Sequence, residues 1–449
     1  MPISLQERRY LQVAMPLACE GILLTLLSSA DIIMAGFLST DAIAAVSIFN
    51  QPRMVLLCVA RSFASALSVL IAQRHGQKRD AEGKASLRAT LIVSALPLLL
   101  LHGLLYWHLS WTLQWMGAEA DYLPLALAYG KLAVIATFIS SMTTILQAGL
   151  LGFGHSRPVM IANVQGNIVN VGGNAFFMFG FGIFPAWGIA GIAMGTICGA
   201  FWSLGKTLHV MRGQDFWSGK ICPPLHSLRD FWPVFASIFS EQGCERLGMV
   251  LYTRMVAELG AIPYAVHAIC MNFCDFYYSF AGGMGKASMI LTGHAHGAKD
   301  NLSWQQQTRI GLKWAWCTAS IACIITWLFR ADIFQLYTHD LTLLPLGSMI
   351  LILVAVVSFP EAQSLVAAGI LRGSGQNAAV AVYSFVSITF LRPLVTFFFL
   401  EILGWGLLGA WLALAFDQTL RASCAIYLLY RTWKGNYRTS ILEGREIIR

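Results

Sequence analysis

Charge is scarce in this chain. Only 12% of its 449 residues are Asp, Glu, Lys or Arg, against about 25% in ordinary soluble domains. With 57% hydrophobic residues, that shortage excludes a disordered chain and a soluble multidomain enzyme of usual make-up. Ten cysteines are present, none of them spaced as Cys-x-x-Cys. Cys58, Cys198, Cys270 and Cys274 lie inside apolar runs, so they read as small core residues in reducing surroundings and not as a disulfide scaffold. No His-Glu-x-x-His occurs, and His267, His294 and His296 have no carboxylate at metal spacing. Gly-x-Ser-x-Gly is missing too. The glycine-rich run Gly149–Gly154 follows no strand and precedes no Gly-Lys-Ser/Thr, so it reads as a turn and not a phosphate loop. These absences leave no catalytic residue and no cofactor to assign. The chain reads as a protein other than an enzyme.

What is present is a succession of apolar blocks. Each is long enough at 1.5 Å per residue to cross a hydrocarbon core of about 30 Å. Twelve spans are expected, at 10–38, 43–74, 85–110, 122–151, 158–182, 186–211, 229–258, 261–296, 307–330, 342–371, 377–401 and 405–430. The fold class is therefore an all-α polytopic membrane protein. The net charge of +8 does not indicate nucleic acid, because the basic residues fall in alternate loops. One set of loops and tails holds 19 of them, from Arg8 and Arg9 to Arg445 and Arg449. The opposite loops hold Arg330 alone against Asp41, Glu119, Asp121, Glu258, Asp332, Asp340 and Glu401. By the positive-inside rule both termini are cytoplasmic. No cleavable leader is expected, since the first block is too long for one.

The chain also resembles itself at an offset of 221 residues, as Gly76 and Gly297 mark in the segments Gln73–Asp80 and His294–Asp300. Gly149–Gly154 matches Gly369–Gly375 with one residue missing, and Trp187–Gly191 matches Trp405–Gly409. Each half then has six spans, and an even number gives both halves the same orientation. They are expected to form two six-helix lobes related by a pseudo-two-fold axis along the membrane normal. The expected division is an N-lobe at 1–211, a cytoplasmic linker at 212–228 with Lys220, Pro223 and Pro224, a C-lobe at 229–430 and a basic tail at 431–449. Duplicated lobes around a cleft suit a transporter working by alternating access.

Ionisable groups at membrane depth are costly and usually functional. Asp31 stands in span 1, with Glu20 and a helix-bending Pro16 before it. Asn163, Asn167, Asn170 and Asn174 share one face of span 5. Amides beside a carboxylate fit cation or proton handling, and they fit equally well as hydrogen-bonding glue between helices. The second half carries Glu241, Glu245, Arg246 and Arg254 in span 7, Asp275 and Lys286 in span 8, Glu361 after Pro360, and Arg392 before Pro393. These acids either meet substrate or pair with Arg246, Arg392 or Lys286. Asp275 precedes Phe276, Tyr277, Tyr278 and Phe280, an aromatic wall suited to flat cations and also to plain helix packing.

Asp31–Ile48, the two glycine turns, the segment Asn170–Thr196, Leu259-Gly260, Ala265–His267 and Ala367–Gly373 together resemble the multidrug and toxic compound extrusion (MATE) transporters over nearly the whole chain. The resemblance implies two six-helix lobes and export of amphipathic, often cationic small molecules driven by Na⁺ or H⁺, from a bacterial inner membrane, by a monomer in contact with membrane lipid. It implies ion coupling at Asp31 with Asn170, Asn174 and Thr196, where a Na⁺ would be the one metal bound, and bending at Pro16. It implies second-lobe acids at Glu241, Glu245, Asp275 and Glu361. Val357 stands where sodium-type members often carry a tyrosine, which favours the first lobe for ion coupling and the second for substrate charge. The near alternative is a lipid-linked oligosaccharide flippase of the same superfamily. A membrane-embedded transferase lacks its catalytic set.

Overall fold

The computed structural model describes residues 4–28, 30–118, 120–180, 185–217, 228–335 and 343–442. Every regular element among them is helical, as hydrocarbon demands, because a helix satisfies its backbone groups within its own segment. Two compact units emerge: Leu23–Phe235, and Met1–Ile22 with Ala236–Arg449. Helix α1 (Leu5–Ser28) passes from the second into the first. The first unit continues with α2 (Ala30–Gly36), α3 (Thr40–Gly76), α4 (Asp80–Trp107), α5 (Leu109–Trp115), α6 (Leu123–Gly152), α7 (Ser156–Phe179) and α8 (Ile189–Gly213). The second holds α9 (Phe231–Ala257), α10 (Ala261–Gly297), α11 (Asn301–Leu328), α12 (Arg330–Gln335) and α13 (Leu344–Gly373). It then runs through α14 (Asn377–Ser384), a π-helical stretch Phe385–Leu391, α15 (Arg392–Phe397) and a second π-helical stretch Phe398–Ile402, to α16 (Gly406–Leu442). Counting 377–402 as one segment, twelve long helical segments stand among the described residues.

Residues 218–227 of the expected linker, with Lys220, Pro223 and Pro224, lie outside the described residues, as do Glu119, Asp340 and the tail from 443 onward. The division between units comes later than 212–228, at Phe235 within α9, and the first 22 residues join the second unit. Their contacts explain why. Glu7 pairs with Lys313 at 2.6 Å. The Tyr10 hydroxyl meets Ser288 Oγ at 2.9 Å. Gly21 and Gly283 leave room for close backbone approach to Ser279 and Leu17.

The repeat is carried in the backbone. Helices α3, α4, α5 and α6 begin 221 residues before α10, α11, α12 and α13, and α3, α4 and α6 match their partners in length. Lys78 and Lys299 both take the left-handed conformation. After them Arg79 N–H donates to Arg74 C=O at 2.9 Å and Asp300 N–H to Ala295 C=O at 3.0 Å, so each helix ends in a Schellman turn. Gly154 and Gly375 do the same at the ends of α6 and α13. These glycines also lie 221 apart, so the gap expected between Gly149 and Gly369 does not exist. Gly152 corresponds to Gly373, and each packs on the helix 221-equivalent to the other's, Ile71 in one unit and Thr292 in the other. Trp187 stacks on Phe177 at 5.7 Å and Trp405 on Phe399 at 5.1 Å. Phe177 and Phe399 are 222 apart, while Ser156 and Asn377 are 221 apart. The π-helical turns absorb the extra residue.

Eight of the described helical segments are long and apolar enough to cross a membrane. The other long helices, α1, α7, α9 and α10, are the ones that carry Glu20, the asparagine stripe, Glu241 with Glu245, and Asp275 with Lys286. Outward faces are apolar: Leu96, Leu99, Leu100 and Leu104 on α4, and Ile321, Ile324, Ile325 and Leu328 on α11, are exposed. Trp107, Trp111 and Trp115 cluster at the end of α4 and along α5, as interfacial tryptophans do. The cores lie inside each unit, around Phe49 and Tyr129 in the first and Tyr252 and Trp411 in the second.

Helices α7 and α8 meet through glycine. A Cβ at Gly195 would run into the backbone and side chain of Asn174, whereas one at Gly205, on the same helix, meets nothing within 4 Å. Gly195→Ala is expected to cost about 1–3 kcal/mol by overpacking, and Gly205→Ala nothing. Thermal unfolding of the two variants in detergent checks this, and equal melting temperatures would count against it.

Candidate functional site

In the first unit the close approach of α7 and α8 brings their polar residues onto Asp31, near the start of α2. Asp31 is buried, with 7% of its surface exposed. Asn174, also buried, donates from Nδ2 to Asp31 Oδ1 at 2.7 Å and to Asn170 Oδ1 at 3.4 Å. Thr196 lies against the same carboxylate, and its hydroxyl donates to the Ile192 carbonyl at 3.0 Å. The four sequence-derived residues are thus brought together. The rest of the asparagine stripe serves otherwise. Asn163 exchanges hydrogen bonds with Gln147 at 2.7 and 3.1 Å and accepts from Ser203 at 2.8 Å, and Asn167 donates to the Asn163 carbonyl. Asn163 thus joins α7 to α6 and α8, while Asn167 bonds within its own helix.

Two groups at this site escaped the sequence reading. Arg53 on α3 donates to Asn50 Oδ1 at 3.5 Å and lies within electrostatic reach of Asp31. Tyr129 on α6 is fully buried. Its hydroxyl and Asn174 Oδ1 have no hydrogen-bond partner among the described residues. Buried oxygens are rarely left so, and two of them beside one carboxylate make a site with unused coordination capacity. Arg53 follows Asn50, Gln51 and Pro52, and Tyr129 stands two residues before Lys131; a systematic search for charges and tyrosines within the spans would have found them.

The second-unit acids have separate fates. Glu241 is buried and accepts from Arg372 Nη2 at 2.6 Å and from Ser384 Oγ at 3.1 Å. Its partner is thus Arg372, not Arg246, Arg392 or Lys286. Glu245 Oε1 accepts from the Tyr278 hydroxyl at 3.3 Å. Asp275 is exposed on α10 within reach of the Arg246 charge, and Lys286 is exposed three turns on. Glu361 is buried beside Tyr277 of α10. Glu361 Oε2 has no partner among the described residues.

Arg392 pairs with Asp417 on α16, which the sequence reading did not single out. Asp417 Oδ2 accepts from Arg392 Nε at 3.1 Å and from Nη2, and Oδ1 accepts from Ser387. Asp417 is 0% exposed and Arg392 2%. Pro16 lies inside α1, which continues helically through it.

A family model described as MatE matches residues 16–176 and again 238–398, one match for each repeat. The chain is 23% identical over 427 residues to the uncharacterized transporter YisQ of Bacillus subtilis (strain 168), covering 93% of this chain and 92% of that protein. It is 25% identical over 389 residues to the multidrug resistance protein NorM of Vibrio cholerae serotype O1, covering 84% of each. A crystal structure of MATE in the bent conformation superposes with a TM-score of 0.89 over 97% of both chains at 18% identity. A MOP superfamily transporter from Pyrococcus furiosus, described by the reverse polarity of its binding pocket, gives 0.86 over 97% of both at 17%. At such identities the structures speak to the fold.

The Arg392–Asp417 pair gives a direct test of the charge accounting. Asp417→Asn leaves a buried guanidinium uncompensated and is expected to destabilise the protein by about 3–5 kcal/mol. The double change Arg392→Met with Asp417→Leu recovers most of that. Glu258→Gln, at an exposed pair with Arg254, is the control. Melting curves in detergent decide, and a loss for Asp417→Asn no larger than the control's would refute the assignment.

Proposed function

The chain belongs to the MatE family of multidrug and toxic compound extrusion transporters, and from that premise we propose that it is a cation-coupled exporter of amphipathic, often cationic small molecules. The observation that carries this reading is the arrangement at Asp31: one buried carboxylate, an amide holding it, and two buried oxygens without partners. Hard cations favour oxygen ligands, and a proton needs only the carboxylate. Asp31 takes the coupling ion, Na⁺ or H⁺. Asn174 can turn its amide to exchange donor for acceptor when the carboxylate's charge is offset. Asn170 and Thr196 support it. Pro16 removes one backbone hydrogen bond from α1, which makes that turn the place where the helix bends.

An ion shifts a transporter between states only by binding one of them more tightly. Here the ion's energy goes into neutralising a carboxylate buried in an apolar unit. In the second unit, Glu361 and Glu245 offer negative charge to a cationic substrate. Glu241 is committed to Arg372, and Asp275 stays at the periphery. The chain works as a carrier in the bacterial inner membrane, with both termini on the cytoplasmic side, by alternating access of its two repeated units.

Proteoliposomes loaded with a fluorescent cation provide the test, with Na⁺ and pH gradients imposed separately. One gradient is expected to drive export and the other not. Asp31→Asn is expected to abolish driven export while membrane levels of the protein stay normal. Export unaffected by either gradient, or undiminished in Asp31→Asn, would overturn the proposal.

A further inference from the structure

Helix α8 ends in a turn that two cations of α4 hold in place. Three successive carbonyls accept from them. Lys84 Nζ donates to the carbonyls of Gln214 at 2.9 Å and Asp215 at 3.2 Å, and Arg88 Nη1 to that of Phe216 at 2.9 Å. Asp215 takes the left-handed conformation. Phe216 is buried, edge-on to Phe153 at 5.4 Å, with Lys84 5.5 Å from its ring centre. Against this fixed turn lies a cavity of about 490 Å³, lined by Leu208, Arg212, Asp215 and Trp217. Arg212 is exposed and takes part in none of the ion pairs found among the described residues, not even with Asp215 three positions on. Residues 218–227, which follow, contain no Asp or Glu that could neutralise it. Trp217 is 42% exposed. Phe201, Gly205, Leu208 and Arg212 fall on one face of α8. Phe201 is exposed, and a Cβ at Gly205 would meet nothing within 4 Å, so that face stays open from the cavity inward along the helix.

We propose that this end of α8 binds one anionic phospholipid, with its phosphate on Arg212, its glycerol region beside Trp217 and an acyl chain along Leu208, Gly205 and Phe201. A guanidinium matches a phosphate through two parallel hydrogen bonds, and tryptophan settles where apolar chain gives way to headgroup. Arg212 and Phe201 are eleven residues apart, about 16 Å along a helix. That is the depth of one leaflet in a hydrocarbon core of about 30 Å. By the alternation of basic loops, α8 ends on the cytoplasmic side, where anionic lipids attract basic segments. The sign of the lipid follows from the charges at the turn, which are Arg212, Lys84 and Arg88 against Asp215. The ammonium of a zwitterionic headgroup meets like charge there, and an anionic headgroup does not. A soluble anion would use Arg212 but leave the apolar face of α8 uncovered. The site is independent of the export reading above.

Native mass spectrometry of the full-length protein provides the test, with equimolar phosphatidylglycerol and phosphatidylcholine of identical acyl chains added in detergent. The first lipid retained by the wild type is expected to be phosphatidylglycerol about ten times as often as phosphatidylcholine, the scale of one hydrogen bond to a charged group. Arg212→Gln should bring that ratio close to one, and Arg212→Lys should keep part of it. Gly205→Trp, which fills the open face, should lower retention of both lipids and leave the ratio unchanged. It also provides an independent reading should Arg212→Gln fail to give a monodisperse protein. Arg254→Gln, at an exposed pair in the second unit, should change neither quantity. Equal retention of the two lipids by the wild type would overturn the proposal. So would a ratio that Arg212→Gln leaves intact, or one that Arg254→Gln lowers as much, which is the result if net charge alone attracts the lipid. Glycerol phosphate, the headgroup without its chains, should fail to displace phosphatidylglycerol at equal concentration. Displacement by it would make the site one for a soluble anion, and a dimer lost in Arg212→Gln would make it a contact between copies. Either result would overturn the lipid assignment.

Discussion

A charge taken out of water costs several kcal/mol even after the protein relaxes around it, and in this chain that constraint sorts the buried ionisable groups into two kinds. Glu241 with Arg372, and Arg392 with Asp417, are matched and hydrogen-bonded. They bind α9 to α13, and α15 to α16, and they can be understood without any ligand. Asp31, Glu361 and Arg421 are the other kind. Each is buried, and none forms an ion pair among the described residues. The distinction does not follow sequence position. Glu241 and Glu245 are one helical turn apart on α9, yet one is committed to an arginine and the other only to a tyrosine hydroxyl.

The spans and the repeat were legible in the sequence because each depends on patterns within single segments, whereas the grouping of Asp31 with Asn170, Asn174 and Thr196 came from the resemblance to MATE transporters. A block of apolar residues, a glycine turn recurring 221 residues on, and asparagines three and four apart are all patterns within a single segment. What the sequence did not disclose was pairing across helices. Arg372 was counted among cytoplasmic charges because it stands at the end of a span, but it turns inward to Glu241. Asp417 and Arg421 have the spacing of a helical ion pair, and read locally they would be assigned to each other. The structure gives Asp417 to Arg392 instead, because Pro393 and the flanking π-helical turns set Arg392 opposite α16. The misplaced gap near Gly149 has a similar origin. Matching glycine to glycine shifted the alignment by one, whereas the helix ends and the contact of Gly152 on Ile71 set the true register.

The repeat also shows how one backbone plan accommodates two chemistries. Where the first unit places Gly83 against Phe153, the second places Trp304 against Ser374, joined by an indole hydrogen bond of 2.7 Å. Large and small have changed sides at equivalent positions, and the volume between the helices is conserved, which is the kind of exchange a packed interior tolerates. The hairpins, turns and tryptophan stacks are held constant, so the helices keep their places while the residues they present diverge. In the first unit α7 is a regular helix and brings Asn174 onto the Asp31 carboxylate, with Asn170 one turn away accepting from Asn174. In the second the equivalent segment carries an extra residue in its π-helical turns, and the stretch between them delivers an arginine. A single inserted residue would rotate everything beyond it by about 100° around a straight helix axis, but the π-helical turns take it up, and Phe399 still stacks on Trp405 as Phe177 does on Trp187.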